Sequence, residues 1–267
     1  MTAVDLALRA TRTTCPYCGV GCGVLATADG RGGAAVSGDP EHPANFGRLC
    51  SKGSALGETL GLEERLLYPM IRCSKGSMEQ VAWTDALDHV AHRFQHIIAR
   101  DGPGAVAFYL SGQLLTEDYY VANKLMKGFI GSANIDTNSR LCMASSVAGH
   151  VRAFGEDIVP GCYEDIETAD LVVLVGSNTA WCHPVLYQRL AAAREKRGTR
   201  VVVIDPRRTA TCDIADIHLA IRAGSDVAVF AGLLVHLAAS GVCDAAWTQK
   251  FATGFADAIV AAQKSAP

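Results

Sequence analysis

The sequence predicts an α/β protein: a small N-terminal lobe stapled by a metal centre, then Rossmann-like α/β layers built on a parallel sheet. Three observations predict it. Cys15, Cys18, Cys22 and Cys50 crowd a Gly-rich opening segment that is too short and irregular to build its own core. From about Tyr68 onward, short β-branched runs alternate with segments of helical period. Runs such as Leu171-Val-Val-Leu-Val175 are apolar throughout rather than alternating, the signature of strands covered on both faces. The expected division is residues 1–67 for the lobe and 68–267 for the α/β region.

In order along the chain, Val20–Thr27 and Ala34–Ser37 read as strands. Two prolines and an asparagine make Asp39–Asn45 a loop, and Ser51–Leu60 reads as a short helix. Trp83-Thr84-Asp85 opens a helix with Thr84 as the expected N-cap, with Leu87, Val90, Ala91, Phe94, Ile97 and Ile98 on one face. Ala105–Leu110 is a strand, and Thr116-Glu117-Asp118 caps a helix expected to run to about Ile130. After the strand Leu171–Val175 comes a helix from Pro184 to Arg197, with Pro at its start and Gly198 as its stop. Arg200–Ile204 is the next strand, and Asp226–Ala239 a helix expected to be buried.

Composition removes several function classes. The 267 residues are 49% apolar and 19% charged, which suits a folded chain with a sizeable core and excludes a disordered tail. With 24 basic and 27 acidic residues the net charge is −3, so no nucleic-acid partner is expected. The longest apolar run, Val227–Val242, is too short for a membrane span of ~20 residues. Residues Met1–Arg12 carry no apolar h-region, cleavage site or twin arginine, so the expected compartment is the reducing cytoplasm. No Gly-x-Ser-x-Gly is present, and no Gly-x-Gly-x-x-Gly follows a strand, so neither a serine hydrolase nor direct NAD binding is expected.

Ten cysteines remain to be explained. Cys15-x2-Cys18-x3-Cys22 places three thiols in one tight loop, and Cys50 adds a fourth from another. Zinc ribbons use two Cys-x-x-Cys knuckles, and the second is missing here. Three thiols plus one distant thiol suit a [4Fe–4S] cluster held by four thiolates, with zinc and plain packed cysteines as the alternatives. Cys73, Cys162, Cys182, Cys212 and Cys243 have no ligand spacing and read as ordinary reduced thiols. His89, His92 and His96 lie opposite the apolar face of their helix and read as a solvated face.

Thr14-Cys-Pro-Tyr-Cys-Gly-Val-Gly-Cys-Gly23 and Gly47-Arg-Leu-Cys-Ser-Lys-Gly53 resemble the N-terminal cluster motif of the molybdopterin oxidoreductase superfamily. The likeness continues through Asn138-Ser-Arg-Leu-Cys-Met143, Ala169–Asn178, His183-Pro-Val-Leu-Tyr-Gln-Arg189 and Ile204-Asp-Pro-Arg-Arg-Thr209, covering about residues 12–240. Within the superfamily it runs toward the catalytic subunits of bacterial assimilatory nitrate reductases. Formate dehydrogenases are less similar: many place a His directly after the metal ligand, where this chain has Met143.

The resemblance implies a [4Fe–4S] cluster on Cys15, Cys18, Cys22 and Cys50, and a molybdenum bis(molybdopterin guanine dinucleotide) whose metal is held by Cys142. It implies that Lys52 lies between cluster and pterin on the electron path. It further implies that Gln113, Asn138, Gly176, Ser177, Asn178, His183, Asp205, Pro206, Arg207, Gly224, Ser225 and Asp226 lie near the cofactor. Plainer readings stand beside these: Lys52 as a solvated lysine at a helix start, Asn178 and Asp226 as helix caps, and His183 as a residue that orients its loop. The implied reaction is reduction of nitrate to nitrite, with a ferredoxin, a flavodoxin or an NAD(P)H-linked flavoprotein as donor. Formate oxidation, a non-catalytic Fe–S relay subunit and a zinc-stapled binding module are the competing expectations. Superfamily members are far longer, so the chain is expected to be the front part of a longer protein that turns over little on its own.

Overall fold

A computed structural model describes residues 10–61, 65–112 and 114–265, and within these the side chains of residues 139, 140 and 142 are not described. The chain forms two compact units, one of residues 1–60 with 161–267, the other of residues 61–160.

The first unit begins with an antiparallel meander of β1 (Thr11–Thr14), β2 (Gly23–Ala28) and β3 (Ala34–Gly38). The expected helix over Ser51–Leu60 is divided into α1 (Ser51–Ser54) and a 3-10 turn at Leu56–Leu60. Glycine is required where β3 meets the next loop, because a Cβ on Gly38 would lie 2.1 Å from the carbonyl oxygen of Gly47. Asn45, fully buried, ties that loop to β2: its carboxamide oxygen accepts from Gly23 N–H at 2.8 Å, and its amide donates to Gly23 O and Arg48 O.

The rest of the unit is the predicted α/β layer. It comprises α5 (Tyr163–Thr168), β8 (Leu171–Val175), α6 (Thr179–Cys182), α7 (Pro184–Arg197), β9 (Arg200–Ile204) and β10 (Ile217–Leu219), then α8 (Asp226–Ala239), α9 (Ala245–Phe251) and α10 (Phe255–Ser265). The intervening labels belong to the second unit. Strands β8, β9 and β10 pair in parallel with β9 central. Leu190 of α7 packs on Val201 and Val203 of β9 with Cys212, flanked by Val172 and Leu174. That is one face of the sheet. The expectation of burial on both faces is corrected: Leu171, Val173, Val175, Ile217 and Leu219 share the opposite face and stay substantially exposed. Among the described residues α7 packs on one face alone, so the pleat sends alternate side chains of β8 outward. Helix α8 forms over the predicted residues and packs against α10, but Val227, Phe230, Leu233 and Leu237 are exposed, against the expectation of a buried helix.

Asp216, just before β10, holds this layer together electrostatically. Its Oδ2 accepts from Arg194 Nη1 of α7 at 2.5 Å and from Val201 N–H of β9 at 2.7 Å. The Arg194 hydrogen bond first, then the Val201 N–H, hold its carboxyl well below the ordinary range, at about 2. A depressed folded-state pKa stabilises the fold above the unfolded value and loses that contribution as pH falls through the folded one. Asp216→Asn is therefore expected to be less stable at pH 7, and its deficit against the wild type to shrink between about pH 4 and pH 2. Urea unfolding at several pH values reads this; a deficit constant down to pH 2 would contradict it.

The second unit holds a hairpin of β4 (Met70–Arg72) and β5 (Met78–Gln80), then α2 (Trp83–Asp101), β6 (Phe108–Leu110), α3 (Thr116–Asn123), β7 (Ile135–Thr137) and α4 (Asn138–Phe154). Strands β6 and β7 are parallel. Three expectations are corrected here. Helix α2 starts two residues earlier, with Ala82 rather than Thr84 at its N-cap and no side-chain cap. The N-cap of α3 is Leu115, whose N–H donates to Asp118 Oδ2 at 3.2 Å. The helix expected to reach Ile130 changes to a π-helix over Lys124–Ile130, closed by Gly131 at φ 80°.

Candidate functional site

The Cys15–Cys22 loop leaves β1 and returns into β2, closed by a hydrogen bond from Cys15 N–H to Cys22 O at 2.8 Å. Gly21 takes φ 65°, which lets the loop turn sharply between Cys18 and Cys22. The chain returns with Cys50 at the N-cap of α1. All four sulfur residues line one pocket, together with Tyr17, Val20, Leu49 and Val185. Cys15 and Cys22 are buried, Cys18 and Cys50 partly so. Burial first, then the proximity of Cys18, Cys15 and Cys50, pushes the Cys22 thiol up to about 11. Four soft donors ringed by apolar walls fit a thiolate-held iron–sulfur cluster, whose own charge offsets that of its ligands.

A second cleft of about 540 Å3 abuts this pocket and shares Leu49, Cys50 and Pro184 with it. Ser51 and Lys52 line one side, Ala180, Trp181 and Gln188 the other. Lys52 is the second residue of α1 and is exposed, so its ammonium can serve a group seated in the cleft.

Three segments that the resemblance places near the cofactor follow adjacent parallel strands. Gly176-Ser177-Asn178 follows β8, Asp205-Pro206-Arg207 follows β9, and Gly224-Ser225-Asp226 lies after β10 at the start of α8. Gly176 takes φ 57° and donates its N–H to Ile204 O, joining the first two loops at their bases. The Ser177 and Thr179 hydroxyls lie 2.7 Å apart. Asp205 Oδ1 accepts from Arg207 N–H at 2.8 Å, which folds that loop into an Asx-turn, and its carbonyl meets His218 Nε2 at 2.9 Å. Asn178 occupies the N-cap of α6 without capping it; its Oδ1 instead accepts from the Thr211 hydroxyl at 3.2 Å. Asp226 is the first residue of α8, with Ser225 at the N-cap, and His183 is the N-cap of α7 ahead of Pro184. Carboxyl-end loops with a left-handed glycine and helix starts suit the phosphates and polar edges of a nucleotide-extended pterin.

Cys142 and Asn138 belong to the other unit. Cys142 is the fifth residue of α4, and its side chain lies outside the description. Asn138 opens α4, and a Cβ on Gly112 would sit 2.8 Å from its Oδ1, so the loops after β6 and β7 meet there. Gln113 lies outside the described residues.

Sequence reasoning missed the residues that brace these loops. Arg189, Tyr163, Asn45 and Thr211 are linked to their partners across 22 to 146 residues, and no local spacing signals such a bond. Thr211 is fully buried and also accepts from Ala180 N–H, so it props the loop after β8 from the one after β9. The buried Thr209 hydroxyl beside it has no hydrogen-bond partner.

A parallel α/β layer with loops at its strand ends, joined to a four-thiol lobe, defines a protein built for an iron–sulfur centre and a nucleotide-like cofactor. The chain belongs to the molybdopterin oxidoreductase family: residues 65–242 match that family and residues 8–60 match its Fe4S4 domain. A nitrate reductase from Klebsiella oxytoca is 66% identical over 86% of this chain and 26% of its own length. A periplasmic nitrate reductase from Desulfovibrio desulfuricans is 48% identical over 80% of this chain and 28% of its own. Acetylene hydratase from Pelobacter acetylenicus has a similar structure, with TM-score 0.78 and 25% identity over 96% of this chain and 35% of that one. The chain thus spans about a quarter to a third of the length of the relatives it matches. No helix among the described residues is long and apolar enough to cross a membrane.

Proposed function

We propose that this chain provides the cluster lobe and part of the molybdopterin-binding layer of an enzyme that reduces nitrate to nitrite, in its assimilatory, cytoplasmic form. The observation that carries the reading is the wall of Leu49, Cys50 and Pro184 shared by the four-thiol pocket and the Lys52 cleft. Nitrate reductases among the relatives, at up to 66% identity, support the substrate. The cytoplasm suits a chain with ten cysteines, nine of which the structure describes as free thiols.

In this reading Cys15, Cys18, Cys22 and Cys50 hold a [4Fe–4S] cluster, and Cys142 holds molybdenum. When bound, the molybdenum–pterin group supplies the oxygen-atom transfer and the cluster the one-electron relay. The chain's own residues hold and orient. Lys52 offers three N–H donors and a positive charge in the cleft beside Cys50. Gly176, without a side chain, lets the backbone approach the pyrophosphate closely, which Arg207 pairs with, while Asp205 accepts from the guanine edge. Gln113, Asn138, Ser177, Asn178, His183, Pro206, Gly224, Ser225 and Asp226 complete the cofactor's surroundings. The electron donor is a ferredoxin, a flavodoxin or an NAD(P)H-linked flavoprotein.

The intact protein, purified anaerobically, is expected to contain both iron and molybdenum and to reduce nitrate with a reduced viologen dye. Zinc without iron, or formate oxidation without nitrate reduction, would overturn the reading. Activity confined to the cytosolic fraction of the cells tests the compartment.

A further inference from the structure

Arg189 is a cation with no place in the site as described, and its environment is costly. Its side chain is fully buried in α7. Nε donates to Glu167 Oε1 at 2.8 Å, and Nη1 to the carbonyls of Pro43 and Ala44 at 2.8 and 2.9 Å. Nη2 has no hydrogen-bond partner among the described residues, and Glu164 Oε1 lies 3.9 Å from it. The guanidinium lies against two rings, Phe46 at 5.2 Å and Tyr163 at 5.6 Å. A buried ion so partnered is a poor means of stabilising a fold, since an apolar side chain of similar volume does as well or better.

Its contacts lead to the thiol pocket by three routes. Tyr163 directs its hydroxyl at the carbonyls of Gly19 and Val20, at 3.1 and 3.0 Å, in the backbone between Cys18 and Cys22. The Pro43–Phe46 loop that Arg189 grips contains Asn45, which bonds Gly23 beside Cys22. Val185, one helical turn before Arg189 on the same face of α7, is itself a wall of the pocket.

We propose that Arg189 is a positioning residue for the cluster: through Tyr163 and the Pro43–Phe46 loop it fixes the loops that carry the thiols, and its buried charge holds the cluster's reduction potential up. Reduction adds one electron to a centre already made negative by four thiolates. A cation shielded from water is screened less than one at the surface, so at a given distance it favours that added electron more. A guanidinium suits the post because it stays charged when buried and its planar fork serves several acceptors while stacking on rings.

The inference rests on the four-cysteine cluster reading, and the experiment separates the two. Redox titration followed by electron paramagnetic resonance gives the midpoint potential in the intact wild-type protein and in Arg189→Gln, Arg189→Lys and Tyr163→Phe, with iron measured in each. Arg189→Gln is expected to keep its iron at a lower midpoint, and Arg189→Lys to recover most of the difference. Tyr163→Phe keeps the charge and the stacked ring, so its midpoint should stay near that of the wild type while the cluster is lost to air several-fold faster. Equal midpoints for wild type and Arg189→Gln at full iron content would overturn the role of the charge. If Arg189→Gln does not fold, Arg189→Met, an apolar side chain of similar volume, takes its place as the chain without the cation and is read by the same two outcomes; an unchanged rate of cluster loss in Tyr163→Phe overturns the positioning role. A wild-type protein without iron would instead overturn the cluster reading itself.

Discussion

Serine in place of Cys22 is expected to strip the iron from the protein and loosen its N-terminal lobe. Cys22 is buried at the base of β2, and its neighbours in the core are Cys15, Val20, Val24 and Val185. Two of the buried side chains in that cluster are themselves proposed ligands, so loss of the metal strikes the lobe's core directly. A segment of this size needs a staple, and binding energy at a structural metal site is folding energy. Hydroxyl oxygen is a poor substitute for a soft thiolate. A loss on the order of 4 kcal/mol, modest for a structural metal centre, lowers the unfolding midpoint by roughly 10 °C in a chain of this length. Iron analysis should fall from about four atoms per chain toward none, while Cys162→Ser, at an exposed position away from the thiol pocket, should keep the wild-type content. Full iron in Cys22→Ser would remove it from the ligand set.

The contrast between Cys22 and Arg189 shows what a sequence carries locally and what it does not. Helix α7 and strand β9 have the predicted bounds because their signals are adjacent in the chain: Pro184 at the first turn, Gly198 at φ 76° after the last, then an unbroken β-branched run. The four cysteines are legible for the same reason. The guanidinium of Arg189, by contrast, meets carbonyls 145 and 146 residues away, and a lone Arg in an amphipathic helix gives no sign of being buried. The π-helix after α3 escaped too, since Lys124–Ile130 keeps the composition of an ordinary helix and differs by the register of its hydrogen bonds. The sheet shows the reverse error. An all-apolar β8 reads as buried on both faces, but the chain's own α7 covers Val172 and Leu174 and leaves Leu171, Val173 and Val175 open. Periodicity reports what a strand can bury, not which layer does it.

Alanine in place of Cys142 is expected to abolish molybdenum retention and nitrate reduction while the cluster signal persists. Cys142 lies within α4, where alanine is the most favourable helix former, so the backbone that presents the position survives the change. It also lies in the 61–160 unit, whereas the four proposed cluster ligands belong to the other compact unit. Loss of molybdenum with intact iron therefore isolates ligation from folding, which the Cys22 experiment cannot do. Cys142→Ser sharpens the test. A serine oxygen holds molybdenum in other branches of the superfamily that the sequence resembles, so this variant should keep part of the metal and lose most of the rate. If Cys142→Ala retained its molybdenum, the metal would have to be held by the pterin sulfurs alone, and α4 would be a scaffold rather than a source of the ligand.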